Sequence, residues 1–475
     1  MNIYSQAIDW PAPEQLASWV MHAPHRIWLD SAMTDHTRGR YSLVTGNPLW
    51  RWEVNTNSEA WLYSQNNSQK KSSSWDFLRK TLKKFNSQKI QTKEIPGSFF
   101  CGGFIGFLSY EAFHHSFLPN SKLKTRHLPL AYFLFCDSGI LLDHLKKKSW
   151  VFSLGLNEQT QSFENTLAKK RALTIIEEIQ NTKKPQTAND ISFDWVQNNS
   201  DNHEKKSYLK KIEKILQAIH RGDCYQVNLS RELHFKCAQI NSQNAAILYL
   251  KLRQESSAPQ MAFLNLGDQQ ILSASPETLF KMQKNQILTF PIKGTRPRAK
   301  SCNQDTLIKN ELLNSEKDRA ELLMIADLLR NDLGKVCEYG SVRVPQLFSL
   351  ESFAQVHHLV AEVCGNLKEA YNAFDVLQAL FPGGSITGAP KLKAIEIIDE
   401  LELHSRGIYT GSIGYMDLHG NANFNIAIRT SLLQNQDLYY WTGGGIVADS
   451  KPEEEWQETL NKAQGILKTL KLSTE

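Results

Sequence analysis

Lys293 occupies the centre of Phe290 to Arg298 (FPIKGTRPR), between a strand-like LTFPI run and a Gly294 turn, with Arg296 and Arg298 close in sequence. A lysine amine becomes nucleophilic when desolvation or neighbouring cations lower its pKa, and this segment supplies both possibilities. Ser273 to Thr278 (SASPET) places Glu277 in a proline turn directly after a strand. Val356 to Val360 (VHHLV) places His357 and His358 in a strand-like run. Adjacent strand residues point to opposite faces, so only one histidine can face a given cavity while the other packs or meets solvent.

Two carboxylate pairs follow at i, i+3 spacing. In Ser315 to Arg330 (SEKDRAELLMIADLLR), Ser315 and Asp318 make a capping-box pattern. Glu321 lies on the flank of Ile325 and Leu328, where a charge needs neutralising. In the helix after Pro452, Glu455 and Glu458 project away from the stripe Trp456, Leu460, Ala463, Leu467. That second pair reads either as a solvated first turn favoured by the helix dipole or, taken with the first, as carboxylates from two helices offered to one hard cation. Two glycine-rich turns each run into a helix: Phe381 to Lys391 (FPGGSITGAPK) and Trp441 to Ser450 (WTGGGIVADS). Each is either an anion site of free backbone N–H groups or a tight turn with a cap, and neither matches the phosphate-loop pattern GxxxxGK[ST].

The elements holding these groups belong to an ordinary globular chain. Its 475 residues are 41% apolar and 22% charged, enough for a packed core. With 54 basic against 49 acidic residues, the net charge of +5 argues for neither nucleic acid nor a membrane surface as partner. The longest uncharged apolar stretch, Gly97 to Tyr110, contains four glycines and falls short of the ~20 residues that cross a bilayer, so it reads as a buried strand pair. The start carries no basic region followed by an apolar run, and the seven scattered cysteines contain no CxxC pair. Reduced, buried thiols in a cytoplasmic protein are the expectation.

Strand-like runs (HRIWLDS, RYSLVTG, AYFLFCD, SWVFSLG) and a helical run over Ser162 to Gln180 precede a long polar stretch, Asn181 to Lys206. A second polar stretch, Asn55 to Ser74, reads as a hairpin tip or exposed loop. We divide the chain into an N-terminal half (1–180), a linker (181–206) and a C-terminal half (207–475) that opens with a helix over Tyr208 to Arg221. Strand pairs joined by short turns outnumber single crossover helices, which points to an α+β fold on antiparallel sheet.

The order RGDCYQVNLS, SASPET, PIKGTRPR, DRAELLMIADLLRNDLG, VHHLV, PGGSITGAPK, GSIGYMD, FNIAIRT, GGGIVADSKPEEEWQET resembles the chorismate-utilising enzymes throughout 208–470. The resemblance implies a two-layer antiparallel β-sandwich with helices outside and chorismate between the sheets. It implies Mg²⁺ on Glu321 and Glu458, with Asp318 and Glu455 as outer or additional ligands. It further assigns substrate contacts to Thr387, Gly388, Tyr415, Arg429, Gly443 and Gly445, with Lys391 in the same run and His358, not His357, as the site histidine. The N-terminal LDSAMTDHTRGRYSLVTG and FFCGGFIGFLSYE resemble the regulatory half, where relatives hold tryptophan; Ser31, Arg40, Tyr41, Ser42 and Pro259 are the candidates.

Within the family, PIKGT with a lysine resembles the branch that aminates chorismate at carbon 4, whereas the anthranilate-forming branch usually has a small residue at this position. The implied reaction is a double displacement in which Lys293 attacks carbon 2 while Glu277 protonates the departing carbon-4 hydroxyl; ammonia then adds at carbon 4 and expels the lysine. The sequence contains no glutaminase-like cysteine turn, so a separate glutamine amidotransferase subunit is implied as the ammonia source, and a lyase elsewhere to complete 4-aminobenzoate for folate. The alternatives are an anthranilate synthase component, an isochorismate or salicylate synthase using water, and a non-catalytic tryptophan-binding regulator.

Overall fold

A computed structural model describes residues 3–33, 39–64, 69–71, 75–86, 100–114, 118, 128–183, 193–198, 201–241, 244–299, 301–352 and 356–472. Two antiparallel sheets dominate it. The first runs, edge to edge, Tyr4–Ile8, Lys148–Ser153, Ser138–Asp143, Tyr41–Thr45, Arg26–Asp30, Gln260–Asn265, Gln269–Ser275, Thr430–Gln434, Asp437–Ile446, Gln226–Lys236 and Val196–Gln197, with Gly388–Ala389 also paired to Gln226–Lys236. The second runs Ile292–Pro297, Val356–Asn366, Gln286–Thr289, Thr278–Gln283, Ala422–Asn425, Ser412–Asp417, Gly103–Leu108, Ala131–Cys136, Trp50–Val54, Ala60–Ser64 and Gln69–Lys71; Arg343–Ser352 pairs with Val356–Asn366.

The sheets face each other across a core that includes Ile27, Leu141, Phe152 and Leu264 from one side and Ile105, Phe107, Leu134 and Ile413 from the other. Helices cover the outer faces, building the cores around Trp19, Phe263 and Ile466 over the first sheet and around Phe133, Ile325 and Phe374 over the second. Each such side chain contributes about 1.5–3 kcal/mol by leaving water. This is the expected α+β sandwich.

Each sheet takes strands from both sides of the polar stretch 181–206. Arg26–Asp30 pairs with Gln260–Asn265, and Gly103–Leu108 pairs with Ser412–Asp417. Part of 181–206 lies outside the described residues, and its end is already helical. The helix spans Asp201–His220 and so starts ahead of Tyr208; its polar first turns, including Glu204 ion-paired with Arg231 at 3.1 Å, carry no apolar period to mark their start in the sequence.

Three further expectations change. Among the described residues, the apolar run ending at Tyr110 supplies one strand, Gly103–Leu108, whose residues are all buried because it is central and covered on both faces. The second glycine run lies inside the strand Asp437–Ile446 rather than in a turn. Its glycines are required by close approach: a Cβ on Gly443 would meet the Leu229 carbonyl oxygen at 2.3 Å. All seven cysteines are free thiols, but Cys302, in the first turn of its helix, is exposed. Among the described residues no helix is long and apolar enough to cross a membrane.

Candidate active site

The chain changes sheets at Pro276–Glu277, leaving Gln269–Ser275 of the first and entering Thr278–Gln283 of the second. Glu277 is therefore buried at a corner between the sheets, its backbone tied by Glu277 N to Ser275 Oγ (3.3 Å) and by Ile426 N to Glu277 O (3.0 Å). Burial pushes its carboxyl pKa up, against the opposing pull of the Ser385 hydroxyl and the nearby Lys293 charge. The result is a carboxyl biased toward holding its proton, facing a lysine.

Lys293 lies on the edge strand Ile292–Pro297, opposite Leu359, just before a register break at Gly294. Gly294 has φ +75°, and a Cβ there would crowd Leu312 at 2.8 Å and Asp318 at 2.9 Å, so glycine alone lets this strand dock on the helix Glu316–Gly334. The amine is largely shielded from solvent, with Nζ 3.7 Å from Glu321 Oε2. Arg296 and Arg298 do not crowd it as the sequence suggested. Arg296 donates to Glu311 (3.0 Å) and Asp318 (3.1 Å), and Arg298 donates to Asp305 (2.9 Å).

The helix Pro452–Leu470 brings the second acidic pair. Proline at its start and Glu453, Glu454 and Glu455 in its first turn suit the N-terminal end of the dipole. Trp456, Ala463 and Leu467 are buried as the stripe predicts. Glu455 is not solvated: it is 5% exposed, accepts from Ser450 Oγ at 2.6 Å, and leaves Oε2 buried with no hydrogen-bond partner. Burial, then Glu458, raises its pKa. Burial would also raise Glu458, but Lys462, Lys293 and Lys317 outweigh that and hold it below its usual value.

Both carboxylates converge over bare backbone. A Cβ on Gly444 would sit 3.1 Å from Glu455 Oε2 and 3.5 Å from Glu458 Oε1. Among the described residues no three His, Cys, Asp or Glu side chains close a metal shell by themselves. A carboxylate pair with an orphaned buried oxygen instead suits a hard cation that keeps one or two protein carboxylates and takes its remaining ligands from water and an anionic substrate. Glu321 approaches from the other helix, held by Lys293, whereas Asp318 is engaged by Arg296.

The remaining candidates divide. Gly445 borders Lys293, since a Cβ there would lie 3.6 Å from Nζ. Thr387 is buried where its segment folds back onto the first sheet: its carbonyl accepts from Asn228 N at 2.8 Å, while Gly388, at φ +141°, clears the Gln226 carbonyl. Arg429 Nη1 donates to the Lys462 carbonyl at 3.2 Å, and Lys462 Nζ donates to the Gly443 carbonyl at 2.8 Å and pairs with Glu458. His358 bonds Thr295 Oγ1 at 2.8 Å on the lysine strand, whereas His357 is sealed between Ser352 and Asp305. Lys391 instead pairs with Asp332 at 2.6 Å, and burial lowers its pKa. Tyr415 packs edge-on against Phe100 in the intersheet core, its phenol toward Asp417 and Cys101.

Lys462, Lys317 and Tyr409 were not singled out from sequence. Tyr440 Oη donates to the Lys462 carbonyl at 3.0 Å at this end of the sandwich, where Tyr409, stacked on Trp441, is also in electrostatic contact with Arg429. The only sequence signal of Tyr409 is an aromatic just ahead of a strand.

The N-terminal candidates form a second polar centre. Ser42 Oγ donates to Asp30 Oδ1 (3.1 Å), meets His144 Nε2 (2.7 Å) and accepts from Ser31 N (3.1 Å). Asp30 Oδ2 accepts from Tyr249 (3.0 Å) and Arg253 (2.7 Å). Arg40 lies over Tyr41 and clamps Asp143, and Pro259 is buried next to Ala258, whose carbonyl accepts from Ala32 N.

A sandwich of this topology with a lysine, a proton-holding glutamate and paired helix carboxylates at one end defines an enzyme, and the chain belongs to the chorismate binding enzyme family, whose model matches residues 25–468. It is 36% identical over 464 residues to aminodeoxychorismate synthase component 1 of Escherichia coli (strain K12), covering 97% of this chain and 96% of that protein. It is 34% identical over 455 residues to anthranilate synthase component 1 of Acetivibrio thermocellus, covering 94% and 90%. The crystal structure of anthranilate synthase component I from Streptococcus pneumoniae TIGR4 aligns with a TM-score of 0.76 at 29% identity, covering 90% of this chain and 92% of that one.

Proposed function

We propose that this chain is component I of an aminodeoxychorismate synthase, an amino-group transferase that converts chorismate and ammonia to 4-amino-4-deoxychorismate on the way to 4-aminobenzoate and folate. The observation that carries the reading is that Lys293, with Nζ 3.7 Å from Glu321 Oε2, lies within electrostatic reach of the buried Glu277. Burial biases Glu277 toward its protonated form, and the Lys293 charge acts on it directly. In the reaction Lys293 attacks carbon 2 of the ring and Glu277 delivers its proton to the departing carbon-4 hydroxyl. Ammonia then adds at carbon 4, and the lysine leaves.

Magnesium, when bound, neutralises a substrate carboxylate and fixes the ring. Glu458 and Glu455 would hold it on one side and Glu321 on the other. Arg429, oriented through Lys462, supplies positive charge for an anionic ring, and closing the site between two sheets excludes water. Ammonia would come from a separate glutamine amidotransferase subunit, and the free thiols suit a cytoplasmic setting. The similarity to anthranilate synthase component 1 keeps ortho-amination as the competing reading.

Chromatography of products from chorismate, Mg²⁺ and ammonium, with and without an added lyase, tests the proposal. We expect 4-amino-4-deoxychorismate, and 4-aminobenzoate once lyase is present. Fluorescent anthranilate and pyruvate in its place would refute it.

A further inference from the structure

The strand that carries Lys293 is held unevenly. It lies at a sheet edge, and its ladder to Val356–Asn366 pairs Lys293 with Leu359, slips at Gly294, and resumes with Thr295 opposite His358 and Arg296 opposite His357. A strand bends where its register slips, so the ladder alone does not fix the direction of the amine. Beyond the slip the chain runs onto one carboxylate. Asp305, in the first turn of the helix Cys302–Asn314, is 5% exposed and accepts from Arg298 Nε at 2.9 and 3.0 Å and from Ala299 N at 3.1 Å. His357 Nε2 meets the same carboxylate at 2.8 Å, and Lys309 Nζ lies 3.5 Å from it. Arg298 above all holds the Asp305 carboxyl well below the usual carboxylate range, so it stays ionised and can only accept. The proton is therefore on His357 Nε2, and the fully buried ring reaches Ser352 Oγ through Nδ1 at 2.8 Å.

One side chain thus ties the end of the lysine strand to the strand Val356–Asn366, to the strand Arg343–Ser352 beyond it and to a helix. We infer that Asp305, acting through Arg298 and His357, is the positioning residue for Lys293: it fixes the strand past the slip, so that the amine stays within reach of Glu321 and of the buried Glu277. Such a clamp matters to chemistry because a nucleophile misplaced by about 1 Å can lose roughly 10²-fold in rate. The same displacement would withdraw from Glu277 the lysine charge that now opposes the upward push of burial on its pKa. The inference rests on the proposed lysine chemistry for its effect on turnover, but not for the geometry of the clamp.

The test compares wild type with Asp305→Asn, which keeps the shape and removes the charge, and with Arg298→Ala, which releases the strand end while leaving Asp305 its other partners. Melting temperature, kcat and KM for chorismate, the pH profile of kcat and the rate at which an amine reagent labels Lys293 are measured for each. We expect kcat to fall about 10–100-fold in both variants, with KM within about threefold of wild type. The alkaline limb of kcat should move to higher pH, because Glu277 loses the opposing lysine charge, and Lys293 should label faster. His357→Gln, whose amide can still donate to Asp305, should keep more activity than His357→Leu. Wild-type kcat in both Asp305→Asn and Arg298→Ala overturns the inference. So does a kcat that falls only in step with the melting temperature while the pH limb and the labelling rate stay as in wild type. Full turnover by Lys293→Ala would instead overturn the lysine chemistry, and the labelling rates would still decide the clamp.

Discussion

Lys293 Nζ lies 3.7 Å from Glu321 Oε2, so the proposed nucleophile and the proposed metal share one carboxylate. Magnesium on Glu321 would draw that carboxylate away from the amine. We therefore expect Mg²⁺ to raise the rate at which an amine reagent labels Lys293, read by peptide mass spectrometry. Labelling that Mg²⁺ leaves unchanged or slows would separate the two roles.

Replacing Lys293 with Ala should abolish any covalent adduct with chorismate and lower turnover by at least about 10³-fold, because the nucleophilic route is lost. Intact-mass analysis of quenched reactions checks the adduct. Wild-type enzyme trapped during turnover with no added mass on Lys293 would contradict the displacement scheme.

Glu277→Gln should cost about 10²–10⁴ in kcat, the usual worth of a positioned general acid. The wild-type acid must be protonated to work, and burial raises its pKa, so kcat should fall as pH rises through that elevated value. A pH profile measures this limb, and the limb should be missing from the variant. The two profiles coinciding in shape would assign the proton to another group.

Stability should depend on pH through Glu111, buried under Arg406 and Gly407, whose backbone N–H groups reach Glu111 Oε1 at 2.7 and 3.4 Å. Burial raises its pKa from 4.5 to about 7. The folded state then holds the proton more tightly than the unfolded one. The stabilisation is complete below pH 4.5 and is lost as pH rises through about 7, amounting to roughly 3 kcal/mol. Denaturant melts from pH 5 to 8 should show the decline, and Glu111→Gln should flatten it. A wild-type curve that climbs over this range would reverse the assigned sign.

Arg406 is 2% exposed and donates from Nε and Nη2 to Glu402 at 2.8 Å each. Removing one partner strands a buried charge, so Glu402→Ala should lose about 3–5 kcal/mol in a urea melt. A loss under about 1 kcal/mol would mean that water enters this corner.

Much of this was legible in one dimension. Short strand-like runs marked Arg26–Asp30, Tyr41–Thr45 and Ala131–Cys136, and the apolar stripe through Trp456, Ala463 and Leu467 fixed which side of the last helix packs. The groups that escaped are those whose surroundings come from sheet register. Glu455 resembled a solvated first-turn acid because nothing local indicates that Gly444 passes beneath it. Tyr409 sits six residues before Tyr415, just ahead of the motif GSIGYMD, and the packing of Phe100 on Tyr415 and of Trp441 on Tyr409 separates their environments. Gly443 to Gly445 resembled a turn because glycine signals tight geometry without saying whether the crowding comes from a bend or from a neighbouring strand.

Interleaving strands from both halves also has a kinetic price for the cell. The partner of Arg26–Asp30 is Gln260–Asn265, and that of Gly103–Leu108 is Ser412–Asp417, so early-made segments emerge from the ribosome with open edges and must wait for most of the polypeptide to be synthesised. Such long sequence separations slow closure and leave nascent intermediates prone to sticking to one another. Truncation at the polar stretch 181–206 would accordingly yield fragments that aggregate singly and regain structure only when expressed together.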